Sequence, residues 1–246
     1  RAKIDKLDEE IQALISARAE CAQEVAACKQ QVGESNFYKP EREVDELRRV
    51  IERNRGPLSG EEMARLFREI MSACLALEMP MQIAFLGPQG TFTQAAALKH
   101  FGHSVRSLPL QGIDEVFREV ESGAAHFGVV PIENSTEGVV NHTLDMFVNS
   151  PLRICGEVEL RIHHHLLGKA KSLKKLKRVL SHQQSLAQCR EWLDAKLPDV
   201  ERVLVASNAE AARLAARDAS TAAIAGSSAA EIYGLQFLAS NIEDEP

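Results

Sequence analysis

The first 32 residues constrain the fold more than any other stretch. Ile4, Leu7, Ile11, Leu14, Cys21, Val25 and Cys28 recur at three- and four-residue steps, which predicts one long amphipathic helix with a face meant for burial. Two cations interrupt that stripe. Arg18 stands where another aliphatic residue belongs, and Lys29 follows eleven residues later, about 20° away around the axis and roughly 16 Å along it. Burying a cation without a partner costs several kcal/mol. Either a carboxylate on another helix, such as Glu43, balances the pair, or an anionic ligand does. Two long cations converging on one interior spot point toward a small dianion.

Two further helices are expected. Gly33, Glu34, Ser35 and Asn36 read as a loop, and Pro40 sits where a helix start tolerates it. A second helix over about 40–54 places Val44, Leu47, Val50 and Ile51 on one face. Gly56-Pro57 breaks it, and Ser59 followed by Glu62 is a capping-box start for a third helix over 59–78. The long helix, about nine turns, would leave much of its seam wet, so a second chain is expected to cover it in an intertwined homodimer.

From Met81 the rhythm changes. Apolar runs followed by helical stretches recur at 82–86 and 92–101, 126–130 and 138–148, 178–181 and 185–196, 202–206 and 208–217, and 222–225 and 228–233. That alternation predicts an α/β architecture with largely parallel strands. The expected division is an all-α domain over 1–79 and an α/β domain over 80–246, with Pro80 at the boundary.

Composition excludes several classes. A chain of 246 residues that is 45% hydrophobic can hold two ordinary domains. A net charge of −6 argues against nucleic acid or a membrane surface as partner, and the Lys-rich stretch from Lys169 to Arg178 reads as a solvated face. Five cysteines, an odd number without CxxC spacing, fit reduced thiols in a cytoplasmic protein. No apolar run approaches the ~18 residues of a membrane span, and no secretory leader is visible. Asn134-Ser135-Thr136 and Asn141-His142-Thr143 match the glycosylation pattern only by chance in that setting. Because the chain opens on Arg1, its native start is expected upstream.

In open α/β sheets, ligands bind beyond the carboxyl ends of strands, and three such ends carry unusual polar loops. Gly87-Pro88-Gln89-Gly90-Thr91-Phe92-Thr93 permits close backbone approach and offers helix-start N–H groups to an anion. Pro131 to Gly138 crowds five polar side chains, although Ser135 or Thr136 would also serve as a helix cap. Ser181-His182-Gln183-Gln184-Ser185 follows an apolar run, with Gln188 one turn on. Each loop alone also reads as a turn or cap. His163-His164-His165 does not make a metal site, since adjacent strand side chains point to opposite faces and no further ligands stand nearby. The Gly-rich loop lacks the Walker Lys-Ser/Thr and GxGxxG spacing, and no GxSxG elbow is present. Neither a metal nor a cofactor is expected.

In order along the chain, GPQGTFTQAA, GVVPIENSTEG, NHTLD, GEVELRIHHHLL and SHQQSLAQC resemble prephenate dehydratase. The helical part, with Arg1, Arg18, Lys29 and Arg42-Glu43 at matching spacing, resembles the all-helical chorismate mutases. Together they resemble the bifunctional chorismate mutase–prephenate dehydratase family of bacterial phenylalanine synthesis. The resemblance implies chorismate and prephenate as substrates, a swapped mutase dimer, and a dehydratase of two α/β lobes like a periplasmic binding protein. In the mutase it implies that Arg18 and Lys29 meet substrate carboxylate and ether oxygen, that Arg1 serves the other protomer's site, and that Glu43, beside Arg42, accepts the substrate hydroxyl. Cys74 and Glu78 take the remaining lining positions. This chain has Lys39 where some relatives carry an acidic residue and Glu78 where some carry glutamine. In the dehydratase the resemblance implies that Glu133, Asn134, Ser181 and Gln188 line the cleft, with Thr91 and Thr93 fixing substrate carboxylate. The residue that protonates the departing hydroxyl is not identified. A Thr-Arg-Phe motif and a regulatory ACT domain would follow Asn241-Ile242-Glu243-Asp244, and this sequence ends at Pro246; the dehydratase is therefore expected to be the weaker activity of this stretch. A non-catalytic two-lobed module for small anions, with a helical dimerisation domain, remains the alternative.

Overall fold

The structure, a computed structural model, describes residues 1–31, 38–134 and 138–245. The predicted loop at 33–36 and the caps Ser135 and Thr136 lie outside the described residues. Helix α1 (Ala2–Gln31) runs unbroken. Helix α2 (Pro40–Arg53) opens on its proline, whose missing N–H would have had no partner in the first turn. Helix α3 (Gly60–Glu78) is capped by Ser59, whose hydroxyl accepts the Glu62 N–H at 3.1 Å. It packs against both other helices and buries Ala64 and Cys74, while α2 buries Leu47 and Val50.

The expected burial of the α1 stripe needs correction. Within one chain Ile4, Leu7, Ile11 and Leu14 are exposed, Leu14 by 71%, and Ala26 is the buried apolar residue of this helix. Helices of 14 and 19 residues cannot cover one of 30.

The α/β part begins with a parallel sheet ordered β2-β1-β3, built from β1 (Gln82–Leu86), α4 (Phe92–Phe101), β2 (Arg106–Leu110), α5 (Ile113–Glu121) and β3 (Phe127–Val129). A hairpin of β4 (Glu133–Asn134) and β5 (Gly138–Val139) follows, then α6 (Asn141–Asn149). Residues 150–164 cross to a second lobe without helix or strand. That lobe comprises β6 (His165–Gly168), β7 (Arg178–Ser181), α7 (Gln183–Gln188), α8 (Arg190–Lys196), β8 (Glu201–Leu204), α9 (Asn208–Ala215), β9 (Thr221–Ala225), α10 (Ser227–Tyr233) and β10 (Gln236–Ala239). Its sheet runs β10-β6-β9-β7-β8. Strand β9 is buried along its whole length, which is why residues 222–225 read as an unbroken apolar run.

Strand β7 is parallel to β8 and β9, whereas β6 runs antiparallel to β9 and β10. The alternating pattern therefore overstated the parallel share and missed β2, α5, β6 and β10. The helix expected over 185–196 is split at Cys189, whose backbone (φ −114, ψ 18) leaves the helical region while its side chain is fully buried. Burial, with the Asp244 and Glu243 carboxylates adding to it, pushes the Cys189 thiol up to about 12.

The helical part meets the first lobe closely. The Tyr38 ring stacks edge-on against Phe127 at 5.3 Å and joins the core of Met81, Ile83 and Phe101. Glu69 of α3 accepts the His103 N–H at 3.0 Å and holds its Nδ1 at 2.8 Å. Among the described residues no helix is long and apolar enough to cross a membrane.

Candidate active sites

One charged cluster forms where the three N-terminal helices meet. Glu78, at the end of α3 and one turn beyond buried Cys74, lies among Lys29 and Arg18 of α1 and Arg42 of α2. Burial raises the Glu78 carboxyl above its ordinary range, and Lys29, Arg18 and Arg42, in that order, pull it back without cancelling the rise. Three cations therefore act on one carboxyl. Lys29 is half-buried, but Arg18 is exposed, so the seam cations gather at a rim and do not sit in an oily interior of the single chain.

Glu43 goes elsewhere. Its carboxylate faces Arg68, with Nε at 3.6 Å, and lies within hydrogen-bonding reach of the Tyr38 hydroxyl. Burial raises Glu43, while Tyr38 and Arg68 act to lower it. The partners that the structure gives Glu43 are thus Arg68 and Tyr38, in place of Arg18 and Lys29. Lys39 is exposed at the N-cap of α2. Arg1 is exposed at the start of α1, roughly 25 Å along the helix from Arg18.

A second site lies between the α/β lobes. A cavity of about 120 Å³ is lined by Thr91 and Phe92 from the start of α4, Arg161 and His163 from the crossing segment, and Gly226 and Ser227 at the start of α10. The lobes approach so closely that a Cβ on Gly226 would stand 2.7 Å from Phe92 Cε1. Gly90 (φ +87) turns the first-lobe loop beneath Tyr233, whose hydroxyl donates to the Gln89 carbonyl at 2.9 Å. Gly226→Ala is expected to drive Phe92 into the cavity, at an overpacking cost of about 1–3 kcal/mol. Phenylpyruvate formation should fall while chorismate consumption is unchanged; equal loss of both would show a general folding defect.

The predicted dehydratase residues separate into different roles. The Thr91 hydroxyl donates to the Leu86 carbonyl at 3.1 Å and accepts the Gln94 N–H at 3.4 Å, so it fixes the loop and its proton is spent. Thr93 is half-buried on α4, and Glu133 is exposed on β4. Asn134 Oδ1 accepts from Gln184 Nε2 at 3.1 Å, tying the hairpin to the start of α7. Ser181 is a correction. Its hydroxyl is fully buried, 2.8 Å from Asn208 Oδ1 and 2.9 Å from the Ile224 carbonyl, because it ends a central strand beside β9. Gln188 Oε1 lies 2.9 Å from His164 Nε2.

Sequence reading missed Arg161, His163 and Ser227 as cavity-lining residues and named Gln184 only as part of its loop. Gly226-Ser227-Ser228 follows a predicted strand, the same position that singled out the other three loops. His163 was weighed only within the run His163-His164-His165 and only for metal binding, and Arg161 was not singled out.

Two family descriptions match the chain: Chorismate mutase type II over residues 1–79 and Prephenate dehydratase over residues 83–246. A bifunctional chorismate mutase/prephenate dehydratase of Stutzerimonas stutzeri is 62% identical over 251 residues, covering 100% of this chain and 69% of that protein. The chain belongs to the bifunctional chorismate mutase/prephenate dehydratase family. The Pseudomonas aeruginosa member is 59% identical with the same coverage. A prephenate dehydratase from Arthrobacter aurescens, solved with L-Phe, superposes with a TM-score of 0.62 at 36% identity, over 68% of this chain and 57% of that one. Membership in the chorismate mutase/prephenate dehydratase family accounts for the observed order of a helical part followed by two α/β lobes, and it does not favour a non-catalytic anion-binding module.

Proposed function

We propose that the helical part rearranges chorismate to prephenate and that the inter-lobe cleft decarboxylates and dehydrates prephenate to phenylpyruvate, two steps of phenylalanine biosynthesis. The cluster of Arg18, Lys29 and Arg42 around Glu78 carries the mutase reading. The rearrangement is pericyclic and needs no nucleophile or cofactor. It needs a dicarboxylate held in a compact shape and charge stabilised at the breaking ether oxygen. Arg18 and Arg42 suit the carboxylates, Lys29 and a protonated Glu78 suit the ether oxygen, and Cys74 and Lys39 border the site. Purified protein should consume chorismate, with phenylpyruvate formation the weaker activity; a protein that consumes neither chorismate nor prephenate would return the anion-binding alternative.

The mutase works as a swapped homodimer in this reading. Two observations support it: the bare α1 stripe, and an Arg1 too distant to serve its own cluster. Cys21, Cys28 and Cys155 are exposed in the single chain, yet Cys21 and Cys28 belong to the stripe that a partner would cover. Alkylation of the native protein is therefore expected to label Cys155 quickly and the other two slowly, with a dimeric mass in solution. Three equally fast thiols on a monomer would contradict the dimer. A cytoplasmic location, matching unpaired cysteines, belongs to the same reading.

A further inference from the structure

Among the described residues, the inter-lobe cavity is lined by one arginine and by no Asp, Glu or Lys. We propose that Arg161 binds the side-chain carboxylate of prephenate, the one that the product keeps, and so sets which end of the substrate faces the crossing segment. The proposal rests on the dehydratase reading of the cleft and deepens it.

Arg161 belongs to the stretch over residues 150–164 that has neither helix nor strand, yet its backbone is anchored on both sides. The Lys99 ammonium of α4 donates to the Glu159 carbonyl at 2.7 Å. Three residues beyond Arg161, the His164 carbonyl accepts the Ile242 N–H at 2.8 Å. One anchor ties the segment to the first lobe and the other to the chain that leaves β10, so Arg161 is presented to the cavity from a fixed base.

Its guanidinium is exposed, and among the described residues it has no carboxylate partner. Glu243, which meets the lining residue His163, is already engaged. One of its oxygens lies 2.6 Å from His163 Nδ1, the other accepts the His164 N–H at 2.9 Å, and its side chain is 6% exposed. A guanidinium keeps its charge at any working pH and offers a planar fork of donors that matches a carboxylate. Phe92, Ala95 and Leu160 give the same cavity an apolar wall. A cation beside an apolar wall suits a cyclic hydrocarbon that carries an acid group.

Prephenate has two carboxylates with different fates. The ring carboxylate loses its charge as CO2 leaves and its electron pair completes the aromatic ring. A cation holding that group would stabilise the substrate more than the transition state and slow the reaction. The carboxylate of the 2-oxo side chain is the same in substrate, transition state and phenylpyruvate. A bidentate guanidinium holds it throughout without raising the barrier. Arg161 therefore belongs on the side chain.

Phenylpyruvate retains the side-chain carboxylate and lacks the ring one, so it tells the two ends apart. With prephenate supplied to the intact enzyme, Arg161→Ala is expected to raise the dehydratase KM about 10- to 100-fold, the worth of one or two charge-assisted hydrogen bonds. The dehydratase kcat should stay within about threefold of wild type, as for an interaction made equally in ground and transition states. Inhibition by added phenylpyruvate should weaken by a factor similar to that in KM. Arg161→Lys, which keeps a point charge without the fork, should fall between the two. Chorismate consumption and melting temperature serve as folding controls and should not move, because the side chain is exposed. The assignment is overturned if KM stays within about threefold of wild type. It is equally overturned if KM rises while phenylpyruvate inhibits as strongly as before, which would put Arg161 on the ring carboxylate. Wild-type enzyme that consumes chorismate but forms no phenylpyruvate from prephenate would overturn the dehydratase reading itself, and this assignment with it.

Discussion

Arg18→Ala is expected to lower chorismate turnover by about 10²- to 10³-fold, the cost of removing one preorganised charge at a developing anion. The same substitution should barely change stability. Arg18 is exposed and sits among cations around Glu78, so its removal leaves no buried carboxylate newly unpaired; surface changes of this kind stay within about 0.5 kcal/mol. A structural ion pair would behave in the opposite way, with a lower melting temperature and little change in rate. Measuring chorismate loss and thermal unfolding on one preparation separates the two. An unchanged turnover number would remove the cluster from the catalytic account.

The pH dependence of the mutase should be carried by Glu78. Beside a developing negative ether oxygen a carboxyl helps only as a protonated donor. Its pKa in the fold is raised, by burial first, against the opposing pull of Lys29, Arg18 and Arg42. The donor is therefore fully present below the raised value and lost above it, by about tenfold per pH unit once past the midpoint. Mutase kcat is expected to fall from pH 5 to pH 8, and Glu78→Gln, a permanent donor, should flatten the profile and exceed wild type at the alkaline end. Linkage gives a second readout with the same sign. A carboxyl that binds its proton more tightly folded than unfolded costs stability as pH climbs between those two values, and Glu78→Gln removes that slope. A wild-type rate that is level across pH 5–8 would exclude Glu78 from this role.

Much of the helical part was legible because its signals are local. Ser59 and Glu62 marked the start of α3, Pro40 marked the start of α2, and the spacing of α1 needed only its own residues. The cations of the mutase cluster were readable for the same reason: Arg18 violates a pattern that its neighbours establish. In the α/β part, strand ends followed by polar loops located the cleft, yet could not sort the residues within it. Ser181 and Thr91 carry the residue types a substrate would want, but both hydroxyls are bound to backbone and side-chain groups from distant segments. The Tyr38 and Arg68 partners of Glu43 were not legible either, since Tyr38 is placed by how the helical part docks against the first lobe.

Taken alone, the residue order determined the three N-terminal helices, the change to α/β rhythm at Met81, the family, and the place of Arg18 and Lys29 on the first helix. These follow from periodicity, caps and charge placed against a local pattern, which act over a few residues. Only the tertiary structure decided that Glu243 meets His163 across 80 residues, that Ser181 is spent on Asn208 and Ile224, and that β6 and β10 run against their neighbours. Such pairings are set by which distant segments share a low-dielectric space, and no local propensity records that.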